Sequence, residues 1–342
     1  MLSWSRCIRQ TGLTLLAAVW AVAAQAQATN PPDEDTVRAL ERAARAVVGV
    51  TATAVDEARS NATLGRQRQG SGVVIDRDGL VLTIGYLVLE AESVTLEIEP
   101  GREVPARVVA YDLATGFGLV RPLVPLRLEP VPLARGKPDA DAPLMAASGG
   151  SDATVGVARL MSQRAFSGYW EYHIDDALFT APPLPQHSGA GLFNLKGELV
   201  GIGSLALADT LPADDPRSVP GNMFVPVTLL EPILGELLAR GSSTASRRAW
   251  LGLNCTQQMD QVRVVRVNAD SPAAAGGVRP GDRIVRIDGT EVRSLDTLWK
   301  TLWAGGGPER DVTLEVRRAD GTHTLKLRSV DRMSTLSRSR GI

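Results

Sequence analysis

The sequence predicts a mainly β protein with two domains. Its 342 residues exceed the usual size of one domain, and 44% of them are hydrophobic, as in an ordinary globular protein. Through most of the chain, short apolar runs are separated by Gly, Pro and Asp, which is typical of an all-β domain. A polar stretch at 239–248, ARGSSTASRR, interrupts this pattern and predicts a linker between the two domains.

The N-terminal residues predict export. Two arginines precede an apolar run at 13–24, and small residues alternate after it. This is the pattern of a secretory signal peptide over residues 1–28, cleaved after Ala26 or Ala28. The run is too short to predict a membrane span, although an uncleaved anchor is the alternative. A periplasmic protein is therefore expected.

Composition excludes several classes of function. The chain has 37 basic and 38 acidic residues, so it lacks the positive field that nucleic-acid binding requires. Cys255 is the one cysteine outside the signal segment, so no internal disulfide is expected and the thiol is interpreted as a small buried hydrophobe. The sequence has no His-Glu-x-x-His motif, cysteine pair or dense acidic loop, so we expect no metal and no cofactor.

Local patterns predict the elements of the first domain. Apolar residues at helical spacing among charges indicate a helix, and β-branched alternation or an Asp-Gly turn indicates strands. The predicted elements are, in order, a helix over 33–46, a strand over 47–55, a surface loop over 56–69, a hairpin turning at Asp78-Gly79, and strands over 93–99 and 104–110.

A glycine-spaced turn that presents Ser188 is the most informative motif. Residues 185–202, PQHSGAGLFNLKGELVGI, predict this turn followed by two apolar strands, which is how an acyl-transfer nucleophile is displayed. The stretch resembles the serine loop of trypsin-like proteases of the HtrA/Deg family, as do GSGVVIDRDGLVLT from Gly70 and NMFVPV from Asn222. The resemblance implies a trypsin-like double β-barrel over residues 36–238.

The same resemblance indicates a degenerate catalytic triad. Tyr86 stands where the family has its catalytic histidine, and Gly116 stands where it has the aspartate that orients that histidine. Gln186 replaces the glycine whose backbone N–H lines the oxyanion hole. A phenol with an ordinary pKa near 10 is a poor base at neutral pH, so Ser188 keeps the nucleophile position without its expected partners.

Three histidines are the remaining candidates for a base. His187 adjoins Ser188, and neighbouring side chains usually diverge, so a hydrogen bond between them is not expected. His173 lies among acidic residues and is interpreted as a surface residue, although an approach to Ser188 from a strand stays open as the alternative. His323 is assigned to a surface hairpin of the second domain.

Residues 249–330 resemble a PDZ domain, a small α+β fold. The resemblance is carried by WLGL from Trp250, by GVRPGDRIVRIDG from Gly277 and by a helix expected from Ser294 to Trp303. A tail over 331–342 is predicted to be flexible. The resemblance implies a peptide-binding site that comprises a carboxylate-binding loop and one helix face. Its candidate residues are Leu251, Gly252 and Leu253 in the loop and Leu295, Leu298 and Trp299 on the helix.

Three functions are compatible with this sequence. The first is a pseudoprotease that binds peptide C-termini or unfolded segments in envelope quality control or scaffolding. The second is an active serine endopeptidase that uses Ser188 with a non-standard base. The third is a structural partner that forms a homo-trimer or mixes with active family members. Retention of function in a Ser188→Ala variant separates the binding protein from the enzyme.

Overall fold

The computed structural model describes residues 33–140, 142–212 and 214–337. The predicted signal peptide at 1–28 lies outside the described residues, as do its two possible cleavage sites. Within the described part of the chain, every helix is too short or too polar to serve as a membrane-crossing segment.

The first domain begins with helix α1 (Glu34–Arg45), which the sequence predicted. Asp33 caps it by accepting a hydrogen bond from the backbone N–H of Thr36 at 2.7 Å. Ala39 and Ala43 face the interior, and the opposite face carries the charges. The surface loop predicted over 56–69 is mostly exposed, but it contains the short helix α2 (Asn61–Leu64) and ends early, where the second strand starts at Gln67.

Two closed six-stranded barrels follow, which confirms the mainly β, double-barrel prediction. The first barrel has the strand order β1-β2-β3-β6-β5-β4 and the second has the order β10-β11-β12-β9-β8-β7. Buried apolar residues of both barrels form one connected core. The strands are β1 (Val47–Ala54), β2 (Gln67–Val74), β3 (Val81–Ile84), β4 (Ala91–Glu99), β5 (Arg102–Tyr111), β6 (Phe117–Pro122), β7 (Pro143–Ala147), β8 (Val155–Ser167), β9 (His173–Ala181), β10 (Gly191–Phe193), β11 (Leu199–Leu207) and β12 (Gly221–Pro226).

The segment at 239–248 is packed rather than extended, although its composition predicted a polar linker. Helix α4 (Leu234–Arg240) runs into it, and a 3-10 turn covers Thr244–Ser246. Ser243 and Ser246 are buried and donate hydrogen bonds to the carboxylate of Asp112 in the first barrel. This buried carboxylate therefore fixes the path of the chain between the two domains.

The second domain has its own apolar core and one main sheet. A pair of short strands, β13 and β20, closes it where the chain enters and leaves. Helix α6 begins after Ser294, which accepts a hydrogen bond from the N–H of Thr297. The elements are β13 (Ala249–Trp250), β14 (Leu253–Gln258), β15 (Gln261–Val267), α5 (Pro272–Ala275), β16 (Arg283–Ile287), β17 (Thr290–Glu291), α6 (Leu295–Ala304), β18 (Asp311–Arg318), β19 (Gly321–Arg328) and β20 (Val330–Asp331).

Residues 331–337, the described part of the tail that the sequence predicted to be flexible, make defined contacts with both domains. Asp331 pairs with Ala249 and caps a 3-10 turn over Arg332–Thr335. The N–H of Ser337 then donates to Glu90 of the first barrel at 2.8 Å. The tail thus connects the two domains a second time.

Candidate active-site cleft and peptide groove

Ser188 lies at the junction of the two barrels. Helix α3 (Gly85–Val88) follows β3 and carries Tyr86 towards the serine. The backbone of Ser188 accepts a hydrogen bond from the N–H of Ser71 on β2 at 2.8 Å. Gly189 has a φ of +75°, and a Cβ there would lie 1.9 Å from the carbonyl oxygen of Ser71. The serine turn therefore needs glycine at that position.

The hydroxyl of Tyr86 contacts Ser188 directly. Its Oη lies 2.8 Å from Ser188 Oγ and 2.8 Å from the carbonyl oxygen of Ser204. A carbonyl only accepts, so the phenol donates its one proton to Ser204 or to Ser188. When it donates to Ser204, the serine hydroxyl is the donor to the phenol oxygen.

Burial keeps this phenol neutral. Desolvation raises the pKa of Tyr86 to about 12, against the hydrogen bond from Ser188, which lowers it. A general base must be unprotonated and ready to accept the serine proton near the working pH. Tyr86 therefore holds Ser188 by a hydrogen bond but cannot deprotonate it at neutral pH.

Loss of the Tyr86 hydroxyl is expected to affect stability rather than reactivity. In a Tyr86→Phe variant the Ser204 carbonyl and Ser188 both lose a partner, so the free energy of unfolding should fall by about 1 kcal/mol. Thermal unfolding measures the change. Ser188 reactivity that is present in the unsubstituted protein and lost in Tyr86→Phe would contradict the neutral-phenol interpretation, because it would show that the phenol acts as the base.

A tyrosine occupies the space beside Gly116. Gly116 has a φ of +83°, and its carbonyl accepts the N–H of Gly85 at 2.7 Å. A Cβ built on Gly116 would lie 3.0 Å from Oη of Tyr172, which is buried and donates to the carbonyl of Thr115 at 2.7 Å. Gly116 has no side-chain carboxylate, and the hydroxyl of Tyr172 fills part of the space that such a side chain would need.

Gln186 and His187 are turned away from catalytic contacts. Gln186 is exposed, and its side-chain oxygen accepts a hydrogen bond from Thr154 Oγ1 at 3.4 Å. His187 Nδ1 lies 3.1 Å from the carbonyl oxygen of Pro185, within the same turn. The carbonyl of His187 itself accepts the N–H of Ala190 at 3.1 Å. None of these contacts activates Ser188.

His173 is buried between the two domains, so the prediction of a surface residue was wrong. Its Nδ1 lies 2.8 Å from Ser167 Oγ, and its Nε2 lies 3.0 Å from Asp175 and 3.4 Å from Asp296. Lys300 of α6 approaches the same two carboxylates at 2.9 Å each. Packing against α6 explains the burial, and both ring nitrogens are engaged away from Ser188.

His323 also has a partner far from the cleft. It lies in strand β19 of the second domain, and its Nε2 is 2.8 Å from Asp320. The three histidines of the chain are therefore engaged with groups other than Ser188.

The N–H groups of the candidate carboxylate-binding loop converge on one side chain. Gly252 and Leu253 donate to Oε1 of Glu171 at 2.7 and 2.9 Å, and Leu251 donates to both oxygens at 3.2 Å. Glu171 comes from the turn between β8 and β9 of the second barrel and is 2% exposed. Burial raises the pKa of Glu171, against the opposing effect of these three donors.

The residues before Glu171 lie in the groove between strand β14 and helix α6. Trp170 forms an antiparallel bridge with Asn254, and the carbonyl of Tyr169 accepts the N–H of Cys255 at 2.6 Å. The indole N–H of Trp299 donates to the carbonyl of Gly168 at 3.0 Å. Sequence reasoning missed Glu171, because a single glutamate in an aromatic run carries no recognisable pattern.

Of the three α6 residues predicted to line the peptide-binding site, only Trp299 forms a hydrogen bond with the segment over residues 168–171. Leu298 is fully buried, and Leu295 is nearly so. Both belong to the apolar core of the second domain. Trp299 is also buried, but its indole nitrogen reaches the segment in the groove. Cys255 is buried, as expected, and its backbone N–H donates to that segment.

Comparisons with known proteins agree with this architecture. The model of the trypsin-like peptidase domain matches residues 70–202, and the model of the PDZ domain matches residues 249–328. The serine endoprotease DegS of Escherichia coli K12 is 24% identical over 288 residues, covering 76% of each chain. The "Probable periplasmic serine endoprotease DegP-like" of Halomonas elongata is 26% identical over 288 residues, which are 75% of this chain and 55% of that protein.

Solved structures show the same fold. The serine endoprotease from Yersinia pestis matches with a TM-score of 0.53 at 21% identity, covering 89% of this chain and 99% of that one. The HtrA-type protease AlgW with decapeptide matches with a TM-score of 0.53 at 20% identity, covering 87% and 98%. The chain thus has a trypsin-like peptidase domain followed by one PDZ domain, and it is similar in sequence and domain order to HtrA/Deg-type serine proteases.

Proposed function

We propose that this chain is a pseudoprotease that binds peptide C-termini or unfolded protein segments through its PDZ domain. The hydrogen bond of 2.8 Å between Tyr86 Oη and Ser188 Oγ is the observation that carries the proposal. A neutral phenol therefore occupies the position where Ser188 needs a base. Gly116 has no carboxylate that could orient a base at that position. Without nucleophile activation, a serine protease loses on the order of 10⁶ in turnover.

Peptide binding rests on the chemistry of the loop at Leu251–Leu253. Three convergent N–H groups suit a carboxylate, and the edge of β14 suits an extended peptide. One solved relative carries the description of an HtrA-type protease with decapeptide. The N-terminal sequence pattern and the periplasmic designation of the Halomonas relative support a role in the periplasm, in envelope quality control or scaffolding.

An active endopeptidase is the alternative, because Ser188 is retained in a glycine-shaped turn at the barrel junction. In that case the base comes from outside the residues that contact Ser188 here, for example from another subunit. A homo-trimer or a mixed assembly with active relatives would be the setting for such a contribution. The two functions differ in whether the serine reacts.

Reaction with a fluorophosphonate probe tests the proposal. We expect no labelling of the purified mature protein at Ser188 and no cleavage of unfolded casein, since the hydroxyl has no base. Trypsin serves as the reagent control and Ser188→Ala as the background. Labelling and cleavage that both disappear in Ser188→Ala would instead establish the endopeptidase.

A further inference from the structure

We infer that residues 168–171 are an internal ligand of the PDZ groove, so that a carboxylate-ended peptide binds only by displacing Glu171. This inference rests on the proposed peptide-binding function and adds a built-in competitor to it. Three features of the segment carry the inference: its carboxylate, its direction along β14 and the further contacts that hold it against the groove.

The carboxylate of Glu171 occupies the position of a peptide C-terminus. All three N–H groups of the loop donate to it, with Gly252 at 2.7 Å the shortest contact. Hydrogen bonds to an ionised acceptor are about twice as strong as neutral ones. A buried carboxylate without such donors would be strongly destabilising. The loop therefore already makes the contacts that a peptide terminus requires.

The backbone before Glu171 runs as a bound peptide would. Moving back from Trp170 to Tyr169 advances along β14 from Asn254 to Cys255, so the segment is antiparallel to β14. Its carboxylate end points to the loop at Leu251–Leu253. This is strand addition at a sheet edge, with the side chain of Glu171 replacing a free terminus.

Other contacts hold the segment against the groove from both sides. The rings of Trp170 and Tyr172 stack with centroids 5.5 Å apart, and Trp299 binds the carbonyl of Gly168. Arg332, in the tail, donates to the carbonyl of Glu171 at 3.4 Å. Because the competitor is part of the same chain, its effective concentration is high and independent of dilution.

Two substitutions should open the groove to different degrees. Glu171→Ala removes the acceptor, and Glu171→Gln keeps an oxygen near the three N–H groups but removes the charge. We expect amide exchange at Leu251–Leu253 to be at least about tenfold faster in Glu171→Ala and intermediate in Glu171→Gln. Asp176→Asn is the matched control, because this exposed carboxylate on β9 pairs with Lys137 instead.

Peptide affinity is measured on the same full-length proteins. The probe is a fluorescein-labelled peptide of residues 161–170, MSQRAFSGYW, which has no acidic side chain and ends in a free C-terminal carboxylate, beside its C-terminal amide. We expect Glu171→Ala to bind the free acid at least about tenfold more tightly than the unsubstituted protein and to bind the amide weakly. If Glu171→Ala unfolds, Glu171→Gln gives the same comparison with a smaller expected difference.

The two measurements separate the inference from the function on which it rests. Faster exchange in Glu171→Ala without peptide binding by any variant would support the internal ligand and refute peptide capture. Unchanged exchange at Leu251–Leu253, together with equal peptide affinity in all variants, would overturn the internal ligand and leave peptide capture standing. Unchanged exchange without any peptide binding would overturn both.

Discussion

Replacing Asp112 by Asn is expected to lower the free energy of unfolding by about 3 kcal/mol, because this buried carboxylate accepts hydrogen bonds from two separate segments. On one side are Thr115 N and Thr115 Oγ1, both bound to Oδ2. On the other side are Ser243 N, Ser243 Oγ and Ser246 Oγ, all bound to Oδ1. Asp112 itself is fully buried.

The amide cannot satisfy both sides in either orientation. Each carboxylate oxygen receives a backbone N–H, from Thr115 on one side and from Ser243 on the other. An asparagine has one oxygen and one NH₂ group, so its NH₂ must face one of these two N–H donors. A buried donor left without an acceptor costs about 1 to 3 kcal/mol.

Thermal unfolding of the full chain measures this effect. A loss of about 3 kcal/mol should lower the midpoint by roughly 6 °C or more. Asp152→Asn, at an exposed position, is the control and should change stability by no more than about 0.5 kcal/mol. If Asp112→Asn and Asp152→Asn had the same midpoint of thermal unfolding, the Asp112 carboxylate would not anchor the segment between the domains.

Acid should weaken the same anchor. Burial raises the pKa of Asp112, but hydrogen bonds from Ser243, Ser246 and Thr115 outweigh burial and lower it below the ordinary value of 3.8. A carboxylate with a lowered pKa contributes stability above its unfolded-state pKa and loses it as pH falls through the folded-state pKa. The unsubstituted protein should therefore lose stability below about pH 4 more steeply than Asp112→Asn.

Much of the fold could be predicted because its signals are local. Alternating apolar residues and the Asp78-Gly79 turn specify strands that pair with their neighbours, and the serine motif specifies a turn with Gly189 at positive φ. The start of α6 also followed from one residue, Ser294, whose side chain caps the helix. These features depend on residues a few positions apart.

The contacts between domains could not be predicted, because each joins segments far apart in the chain. Glu171 meets the loop at Leu251–Leu253, and Ser337 meets Glu90. The burial of His173 depends on α6, more than a hundred residues away in sequence. The segment at 239–248 has a polar composition that predicts exposure to solvent. Its residues Ser243 and Ser246 nevertheless donate hydrogen bonds to the buried carboxylate of Asp112.

Placing a histidine at Tyr86 and an aspartate at Gly116, as the family pattern has them, is expected to produce no proteolysis. A Tyr86→His/Gly116→Asp variant places an aspartate at a φ of +83°, with its Cβ 3.0 Å from the hydroxyl of Tyr172. Tyr172 is buried and bound to Thr115, so the aspartate must strain or displace it, at a cost of about 1 to 3 kcal/mol. A histidine without a correctly placed carboxylate loses about ten-thousandfold in turnover.

Fluorophosphonate labelling and casein cleavage by this double variant measure the outcome, with thermal unfolding beside them. Adding Tyr172→Phe removes the hydroxyl that crowds Gly116 and should recover part of the lost stability while leaving casein intact. The contrary result would be casein cleavage by the double variant that disappears when Ser188→Ala is added. It would mean that only Tyr86 and Gly116 separate this chain from an active protease, and that crowding by Tyr172 does not prevent catalysis.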